Sequence, residues 1–341
     1  MFTPVLRQPL LSLDTGLDAK TLADLRNNLS ALVLAQNHLW IGADEGTRIE
    51  RMTPSGAHFG EHKRFELRDI LKLRAESEID IEGLDFQDGH LWIAGSHSLK
   101  RKKVDKSKSD AENRKRLKDV GQEPNRYTLA RIPLTADAEP AKLEGRKRAA
   151  KLRMSATGNA LMKFLREDEH LAAFCSIPSK ENGLDIEGLA VSGSRIYLGL
   201  RGPVLRGWAV ILQLKWKSKG DGFLEIESFK KHFLELDGLG VRDLLIVDRD
   251  LYVLAGPTMA LDGPVFIYRW RNALAQTHGV LVPRDKLDVV VTVPFGAGCD
   301  HAEGMTLLPG KKLLVCYDSP SKERAPTDRP EQVRLDVFQL E

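Results

Sequence analysis

A repeated pair of short apolar segments is the feature that most constrains this chain. Each copy begins with one short apolar segment and continues, after a turn, with a second of the Leu-Trp-Ile-Gly kind. The copies begin at Ser30, Glu82, Glu187, Arg242 and Glu303. In the first four copies the second segment starts nine residues after the first, and in the last copy ten. Self-similarity in a constant register predicts a repeat architecture.

The spacing of the copies indicates which architecture. Intervals of 52, 55 and 61 residues suit one four-stranded β-propeller blade with ordinary loops. The interval of 105 residues between the second and third copies indicates either an insertion, which we favour, or a degenerate blade. We therefore predict an all-β fold, with residues 1–341 forming a single β-propeller of five blades and six as the alternative. A strand within residues 5–13 is expected to complete the last blade, because closure removes exposed sheet edges.

Outer strands are predicted from the apolar runs that lie between the copies. The third strands are expected at residues 48–52, 127–134, 209–216, 265–270 and 333–340. The fourth strands are expected at residues 64–67, 171–177, 224–229 and 289–295.

The insertion, residues 99–176, differs from the rest in charge, and a blade strand near residues 126–134 interrupts it. Residues 100–119 carry ten Lys and Arg against four Asp and Glu, and residues 142–153 carry six against one. The formal net charge of +3 is therefore +11 in these two stretches and −8 elsewhere. The first stretch predicts a mobile loop or a short solvated helix. Leucine spacing between residues 159 and 173 predicts a helix packed on the propeller.

The composition is that of an ordinary soluble globular protein, with 42% hydrophobic and 29% charged residues. The first residues lack the basic and apolar segments of a signal peptide. No apolar run approaches the roughly 18 residues of a membrane-spanning helix. We expect a cytoplasmic monomer that does not span a membrane. The near-neutral net charge excludes a chain that is basic throughout, but it does not exclude a local basic surface.

The repeat register brings one set of polar residues together at the mouth of the central channel. In a meander blade, the loop entering the first strand and the loop leaving the second open on the same face. The first-strand positions are Ser30, Glu82, Glu187, Arg242 and Glu303. Two residues earlier come Asn28, Asp80, Asp185, Gly240 and His301. The second strands end at Asp44, Ser96, Arg201, Gly256 and Asp318, and four more residues should lie close by: His97, Lys180, Asn182 and Asp243.

Three glutamates that converge on a narrow channel cannot all stay ionised unless something compensates them. Calcium is one solution, with Glu82, Glu187 and Glu303 as oxygen ligands and the Ser30 hydroxyl completing the set. A second is that Arg242, supported by Arg201, acts as an internal counterion. A third is that one glutamate stays protonated, which would suit acid–base catalysis. A structural interpretation, in which these carboxylates pin neighbouring loops, stays open beside the three.

Four segments carry a resemblance to a known family. They are KENGLDIEGL at residues 180–189, GLRGP at 199–203, GVRDL at 240–244 and LAGPT at 254–258. They resemble the signature of a bacterial family known only as a domain of unknown function, and the resemblance spans roughly residues 28–320. It is specific as a family match but implies no activity.

More distant resemblances concern the first-strand positions. Esterase-like phytase and gluconolactonase-type propellers also place Glu-Gly at the start of inner strands. The five-bladed calcium-activated nucleotidases carry Ser or Glu there and bind calcium in the channel. That resemblance implies that Ser30, Glu82, Glu187 and Glu303 are ring positions of a calcium site. Arg242 departs from the pattern.

These observations predict a soluble propeller that binds a small anionic molecule at its channel mouth. If the protein is an enzyme, the expected reaction is hydrolysis of a phosphoric or carboxylic ester. Glu82, Glu187 and Glu303 would hold calcium or a proton, and Glu187 would take part in catalysis. Arg201, Arg242 and Lys180, with Asn182 and Asp243 beside them, would bind the anion. Asp185 or His301 would activate water, and no organic cofactor is expected. The competing hypothesis is a non-catalytic scaffold that binds protein or nucleic acid through residues 100–119.

Overall fold

Strands are the predominant regular elements of the structure, a computed structural model that describes residues 2–340. The first and last residues of the predicted domain, 1 and 341, lie outside the described residues. The strands of the first half are β1 (Leu10–Ser12), β2 (Leu29–Ala35), β3 (His38–Ala43), β4 (Arg48–Ser55), β5 (His58–Glu66), β6 (Ile81–Gln87), β7 (His90–Gly95), β8 (Lys100–Arg101), β9 (Val120–Gly121), β10 (Leu129–Pro133), β11 (Leu143–Glu144), β12 (Lys147–Arg148) and β13 (Ala150–Leu152). Those of the second half are β14 (Asp185–Ser192), β15 (Arg195–Gly202), β16 (Trp208–Gly220), β17 (Phe223–Glu235), β18 (Gly240–Val247), β19 (Asp250–Gly256), β20 (Val265–Trp270), β21 (Leu281–Val282), β22 (Leu287–Val293), β23 (His301–Leu308), β24 (Lys312–Asp318), β25 (Gln332–Arg334) and β26 (Asp336–Gln339).

Helices are few and short. They are α1 (Ala19–Asn27), α2 (Arg68–Leu71), α3 (Asp110–Lys118) and α4 (Ala160–Glu167). Turns of 3-10 helix lie at Pro124–Tyr127, Ala172–Ser176, Ser179–Glu181, Ala273–Ala275 and Arg284–Lys286. Among residues 2–340, none of these helices has the length and apolar character needed to cross a membrane.

Each copy of the sequence repeat is a β-hairpin with further strands outside it. The hairpins are β2–β3, β6–β7, β14–β15, β18–β19 and β23–β24. The outer strands that extend them are β4 and β5, β10 and β13, β16 and β17, β20 and β22, and β26. The first strands pack in a closed ring in the order β2, β6, β14, β18 and β23. The fold is therefore a β-propeller, as the register predicts, and it is mostly β instead of strictly all-β.

The two ends of the chain meet at the last hairpin. The backbone N–H of Leu6 donates to the carbonyl of Val337 over 2.8 Å, and the N–H of Val337 donates to Arg7 over 2.9 Å. The segment before β1 therefore lies along β26. β1 itself pairs antiparallel with β25 and parallel with β5, so it connects the last strands to the first group.

A buried carboxylate fixes this junction. Asp336 is fully buried and accepts hydrogen bonds from Gln8 over 2.8 Å and from the Tyr317 hydroxyl over 2.6 Å. The Arg324 guanidinium donates two more, over 2.9 and 2.6 Å. Substitution of either Asp336 or Arg324 is expected to destabilise the protein strongly, because it would leave an uncompensated charge in the core.

The hydrophobic core is divided into layers between neighbouring strand groups. The large aromatic residue of each of the first four second strands lies in a different buried cluster. These residues are Trp40, Trp92, Tyr197 and Tyr252. All four are at most 4% exposed, which confirms that they belong to the core and do not form an exposed stacking platform.

Glycines after the channel glutamates allow the inner strands to approach one another. A Cβ on Gly83 would lie 2.6 Å from the Cβ of Leu189, in the neighbouring first strand. A Cβ on Gly188 would lie 2.8 Å from Leu244, and one on Gly304 would lie 3.0 Å from the backbone of Ala31. The Glu-Gly pairs of the sequence therefore mark positions where neighbouring first strands approach each other too closely for a side chain.

One predicted outer strand is wrong. Residues 171–177 were expected to form the fourth strand after β10, but they contain the 3-10 helix Ala172–Ser176. The strand beside β10 is β13, which lies within the basic stretch at residues 142–153. Only Ala150 and Leu152 of β13 are buried, and two apolar residues are too few for an alternating pattern to stand out. The expected helix is confirmed as α4, with Leu161 and Leu165 buried.

The close approach of the inner strands makes a test of the packing. We expect Gly83→Ala to lower the free energy of unfolding by about 1–3 kcal/mol, because the new methyl group overpacks the contact with Leu189. Chemical denaturation would measure it. Gly60→Ala is the matched control, since a Cβ there meets nothing within 4 Å. Equal stability of the two variants would contradict this account of the ring.

Candidate functional site at the channel mouth

A cavity of about 740 Å³ opens at the mouth of the channel. Its inner carboxylates come from the strand positions that the repeat register identifies, and they are Asp44, Asp80, Glu82, Asp185, Glu187, Glu303 and Asp318. The inner arginines that line it are Arg126, Arg201 and Arg242. Arg101, from the basic insertion, lines it as well. Seven carboxylates beside three inner guanidinium groups leave the centre short of positive charge.

A β-bulge explains why the first-strand residue of four of the hairpins enters the channel. The pairing of β6 with β7 passes from Ile81 to Gly83 and omits Glu82. The same interruption omits the first-strand residue of every other hairpin. The residues omitted are Ser30, Glu187, Arg242 and Glu303. A bulged residue does not take part in the strand pairing, and its side chain can be redirected. The ring of channel residues therefore results from a backbone irregularity that every hairpin shares.

Arg242 holds two of the channel glutamates. Its Nη1 lies 2.6 Å from Oε2 of Glu303 and 3.2 Å from Oε2 of Glu187, and its Nη2 donates to the carbonyl of Pro257 over 3.0 Å. Glu187 also accepts a hydrogen bond from Nη1 of Arg201. All of these charged side chains are buried. This half of the ring follows the internal-counterion alternative.

Arg201 keeps one end free. Its Nε lies 3.5 Å from Oδ2 of Asp185, in addition to the contact of Nη1 with Glu187. The side chain is 6% exposed, and within residues 2–340 its Nη2 has no hydrogen-bond partner. Lys180 lines the same cavity, is exposed, and forms no ion pair with the described carboxylates. An unpaired guanidinium nitrogen and a free ammonium group are typical anion-binding groups.

The other half of the ring holds an acidic cluster, Asp44, Asp80 and Glu82. Each offers one carboxylate oxygen, and these oxygens lie within 4.8 Å of one another. In the part of the chain that the structure describes, no other three His, Cys, Asp or Glu residues meet this spacing. Burial raises the pKa of Asp44 and Glu82 well above the usual range, and the neighbouring carboxylates raise both further. The cluster therefore favours a proton or a cation.

Arg126 compensates only one member of the acidic cluster. Its Nη1 lies 3.0 Å from Oδ2 of Asp80, and its Nη2 donates to Glu78 over 2.7 Å. Burial raises the pKa of Asp80, and the nearby charge of Arg126 opposes that rise. No comparable guanidinium contact is found in residues 2–340 for Asp44 or Glu82.

Two groups in the cavity have the chemistry of an acid–base pair. Burial raises the pKa of Asp185 to about 7, with Arg201 opposing the rise. The imidazole Nε2 of His301 lies 3.1 Å from Asp262, and its Nδ1 lies 3.9 Å from Asp318. The carboxylates of Asp318 and Asp262 raise the pKa of His301 against the effect of burial. At neutral pH, Asp185 is therefore poised between its two forms, and the carboxylates around His301 shift its equilibrium towards the protonated form.

Three predicted site residues lie outside the cavity lining. Ser30 is buried and its hydroxyl donates to the carbonyl of Ile81. Asp243 is 2% exposed and accepts backbone hydrogen bonds from Leu244 and Met305 over 2.8 and 2.7 Å. The side-chain amide oxygen of Asn182 accepts a hydrogen bond from the N–H of Val204 over 3.0 Å. Their polar groups are engaged within the protein.

The four predicted calcium ligands do not lie together in one cluster. Of Glu82, Glu187, Glu303 and Ser30, only Glu82 belongs to the acidic cluster. Glu187 and Glu303 bind the buried guanidinium groups instead, and a guanidinium repels a divalent cation. The register already brings Asp44 and Asp80 to the mouth, although neither has a predicted role. Arg126 stands at the start of the outer strand predicted near residues 126–134, outside the register of the repeated hairpins, so that register does not indicate it.

The basic insertion also reaches the cavity. Residues 100–121, here called the basic flap, consist of β8, α3 and β9, and Lys100 to Lys103 and Leu117 line the cavity wall. Helix α3 has a Ser109 and Glu112 capping box and no buried residue, which confirms the short solvated helix. Arg101 binds Glu181 and the carbonyl of Leu117, and these contacts tie the flap to the mouth.

Solved structures with a similar course of the chain have low sequence identity. Glutaminyl cyclase of Myxococcus xanthus is 11% identical, with coverage of 98% of this chain and 95% of that one and a TM-score of 0.44. The PQQ-bound aldose sugar dehydrogenase of Streptomyces coelicolor is 12% identical, covering 98% and 97%, with a TM-score of 0.38. The β-propeller domain of Cps50 (Swd1) from Myceliophteria thermophila is 8% identical, covering 92% and 97%, with a TM-score of 0.35. With these TM-scores, the likenesses carry no argument about the chemistry of this chain.

No curated protein matches the chain. One family, described as "Protein of unknown function (DUF3616)", matches residues 28–336. The match covers the repeats and the channel residues, and it confirms the resemblance found at residues 180–203 and 240–258. The chain belongs to this DUF3616 family.

Proposed function

We propose that the channel mouth binds a small anionic ester together with a divalent cation and hydrolyses it. The observation that carries the proposal is that one cavity contains both an acidic cluster with an arginine at only one of its three members and an unpaired, buried arginine nitrogen. A cation site beside an anion-binding group is the arrangement that metal-assisted hydrolysis of phosphoric or carboxylic esters requires.

The acidic cluster fits calcium by its chemistry and its size. Carboxylate oxygens are the ligands that calcium prefers, at about 2.3–2.6 Å, so two oxygens on one ion lie at most about 5 Å apart. The oxygens of Asp44, Asp80 and Glu82 lie within 4.8 Å of one another, which supports a single shared ion. When bound, the ion would polarise the ester and stabilise the charge that develops on it.

The residues of this chain would supply the remaining steps. Arg201 and Lys180 would hold the anionic group, with Arg242 fixing Glu187 behind them. Asp185 would take a proton from water as the water oxygen bonds to phosphorus or to the carbonyl carbon. His301 would give a proton to the alcohol oxygen as its bond to that atom breaks. The two proton transfers balance, so no further reactant is needed.

The position of the basic flap supports this proposal over binding of nucleic acid. Several of its cations are already paired, since Arg101 binds Glu181 and Lys102 binds Asp119. Lys103 lines the cavity and forms no ion pair with a carboxylate of residues 2–340, so it would attract a small anion towards the mouth.

We take the whole chain as a single propeller domain of five blades, which the five hairpins and the closed ring of first strands support. The N-terminal segment beside β26 supports closure of the last blade. A monomeric state and a cytoplasmic location stay predictions.

Calcium should stabilise the native protein through the acidic cluster. We expect millimolar calcium to raise the midpoint of thermal unfolding, since a ligand that binds only the native state stabilises it, by about 2.7 kcal/mol at 100 times Kd. Asp44→Asn and Glu82→Gln should abolish the rise. Differential scanning calorimetry would measure it.

Glu45→Gln is the matched control for those variants, because Glu45 is an exposed carboxylate on the same cavity. It should keep the full calcium response. An unchanged midpoint in the wild type, or an equal loss of response in Glu45→Gln, would contradict the proposed cation site.

The raised pKa of Asp185 predicts a pH dependence of stability. The carboxyl group has a pKa of about 7 in the folded protein and about 3.9 when unfolded. Between these values the folded state holds a proton that the unfolded state has lost, so stability falls as pH rises. The Asp185→Asn variant has no carboxyl group at this position, so it does not lose stability in this way as the pH rises. Its advantage over the wild type should grow between pH 4 and 7, by up to about 1.4 kcal/mol per pH unit, and then level off.

Denaturant titrations across that pH range would test this, with Asp221→Asn as the control. Asp221 is exposed in the turn between β16 and β17, so its substitution should add no slope. A difference between Asp185→Asn and the wild type that stays constant with pH would refute the role of Asp185 as a group that titrates near neutrality.

A further inference from the structure

We infer that the ester bound at the channel mouth is amphipathic, with an apolar group of several carbons attached to its anionic end. This inference rests on the proposed function, and it adds the class of substrate. It is carried by the size of the cavity and by the apolar side chains on its lining.

The cavity is larger than a cation and a compact anion require. Its volume of about 740 Å³ lies within the roughly 300–1,000 Å³ of pockets that enclose drug-sized organic molecules. One water molecule takes up about 30 Å³ of liquid volume. A cation, a few waters and a phosphate group would therefore fill only a small part of it.

Exposed apolar side chains stand on the lining of this otherwise charged cavity. Met259 and Leu261, in the loop between β19 and β20, are 37% and 58% exposed. Leu117, from the basic flap, is 46% exposed and lines the same cavity. Single exposed apolar residues are ordinary, but these three come from two separate segments and share one cavity with Arg201. Contact with the apolar part of a ligand would remove their surface from water at about 25 cal/mol per Å².

Both segments are held in place by polar contacts. Oδ1 of Asp262, beside Leu261, lies 3.1 Å from Nε2 of His301, and its Oδ2 accepts from the N–H of Gly298 over 2.9 Å. The carbonyl of Leu117 accepts from Arg101, which also binds Glu181. The apolar side chains are therefore presented at the mouth by anchored backbone. His301 connects the apolar loop directly to the proposed chemistry.

The test is a series of ligands with constant charge and increasing apolar length. Binding of inorganic phosphate and of ethyl, butyl and hexyl phosphate would be measured by calorimetry with calcium present. We expect affinity to rise about twofold to fourfold for each added methylene, since a fully buried methylene contributes about fourfold. Leu261→Ser and Leu117→Ser should flatten this dependence while leaving the affinity for inorganic phosphate within about twofold.

Leu281→Ser is the control variant. Leu281 is 67% exposed and does not line the cavity, so its substitution should leave the whole series unchanged. Phosphate binding with no gain from ethyl to hexyl phosphate would overturn this inference alone. An equal effect of Leu281→Ser and Leu261→Ser would overturn it as well. Failure of every member of the series to bind would overturn the proposed function, and this inference with it.

Discussion

The contact of Arg242 with Glu187 and Glu303 is the interaction on which the channel depends. Inner strands that converge on a narrow axis bring carboxylates together, and buried like charges without compensation cost several kcal/mol. One guanidinium group joins two of the glutamates, with oxygens at 2.6 and 3.2 Å, and Arg201 adds a second contact to Glu187. Because these arginines are buried and permanently charged, this half of the ring has no need of a metal ion.

The same arrangement leaves the opposite half uncompensated. The carboxylates of Asp44, Asp80 and Glu82 lie close together, and Arg126 contacts Asp80 alone among the three. The channel is thereby divided into a half that repels cations and a half that attracts them. Under the proposed function, a ligand that spans the two would meet the free Nη2 of Arg201 at one end and a cation held by the acidic cluster at the other.

The sequence was sufficient to predict the propeller, the hairpins and the residues that enter the channel, because a constant register is visible without any structure. The sequence could not show which of these residues pair with one another. The bulge that redirects Glu82, Glu187 and Glu303 is a backbone irregularity that no residue type requires. Which glutamate meets Arg242 depends on distances around a closed ring. Arg126 and β13 lie in the insertion, where the repeat gives no guide, so both were missed.

Diffraction from crystals soaked in manganese, which takes oxygen ligands like calcium and scatters anomalously, tests the central claim most directly. The account predicts one anomalous peak at the channel mouth, within coordination distance of Asp44, Asp80 and Glu82, and its loss in Glu82→Gln crystals. Two results would contradict the division of the ring by Arg242. They are a peak between Glu187 and Glu303, and the absence of any peak at the channel mouth of crystals soaked at a saturating manganese concentration.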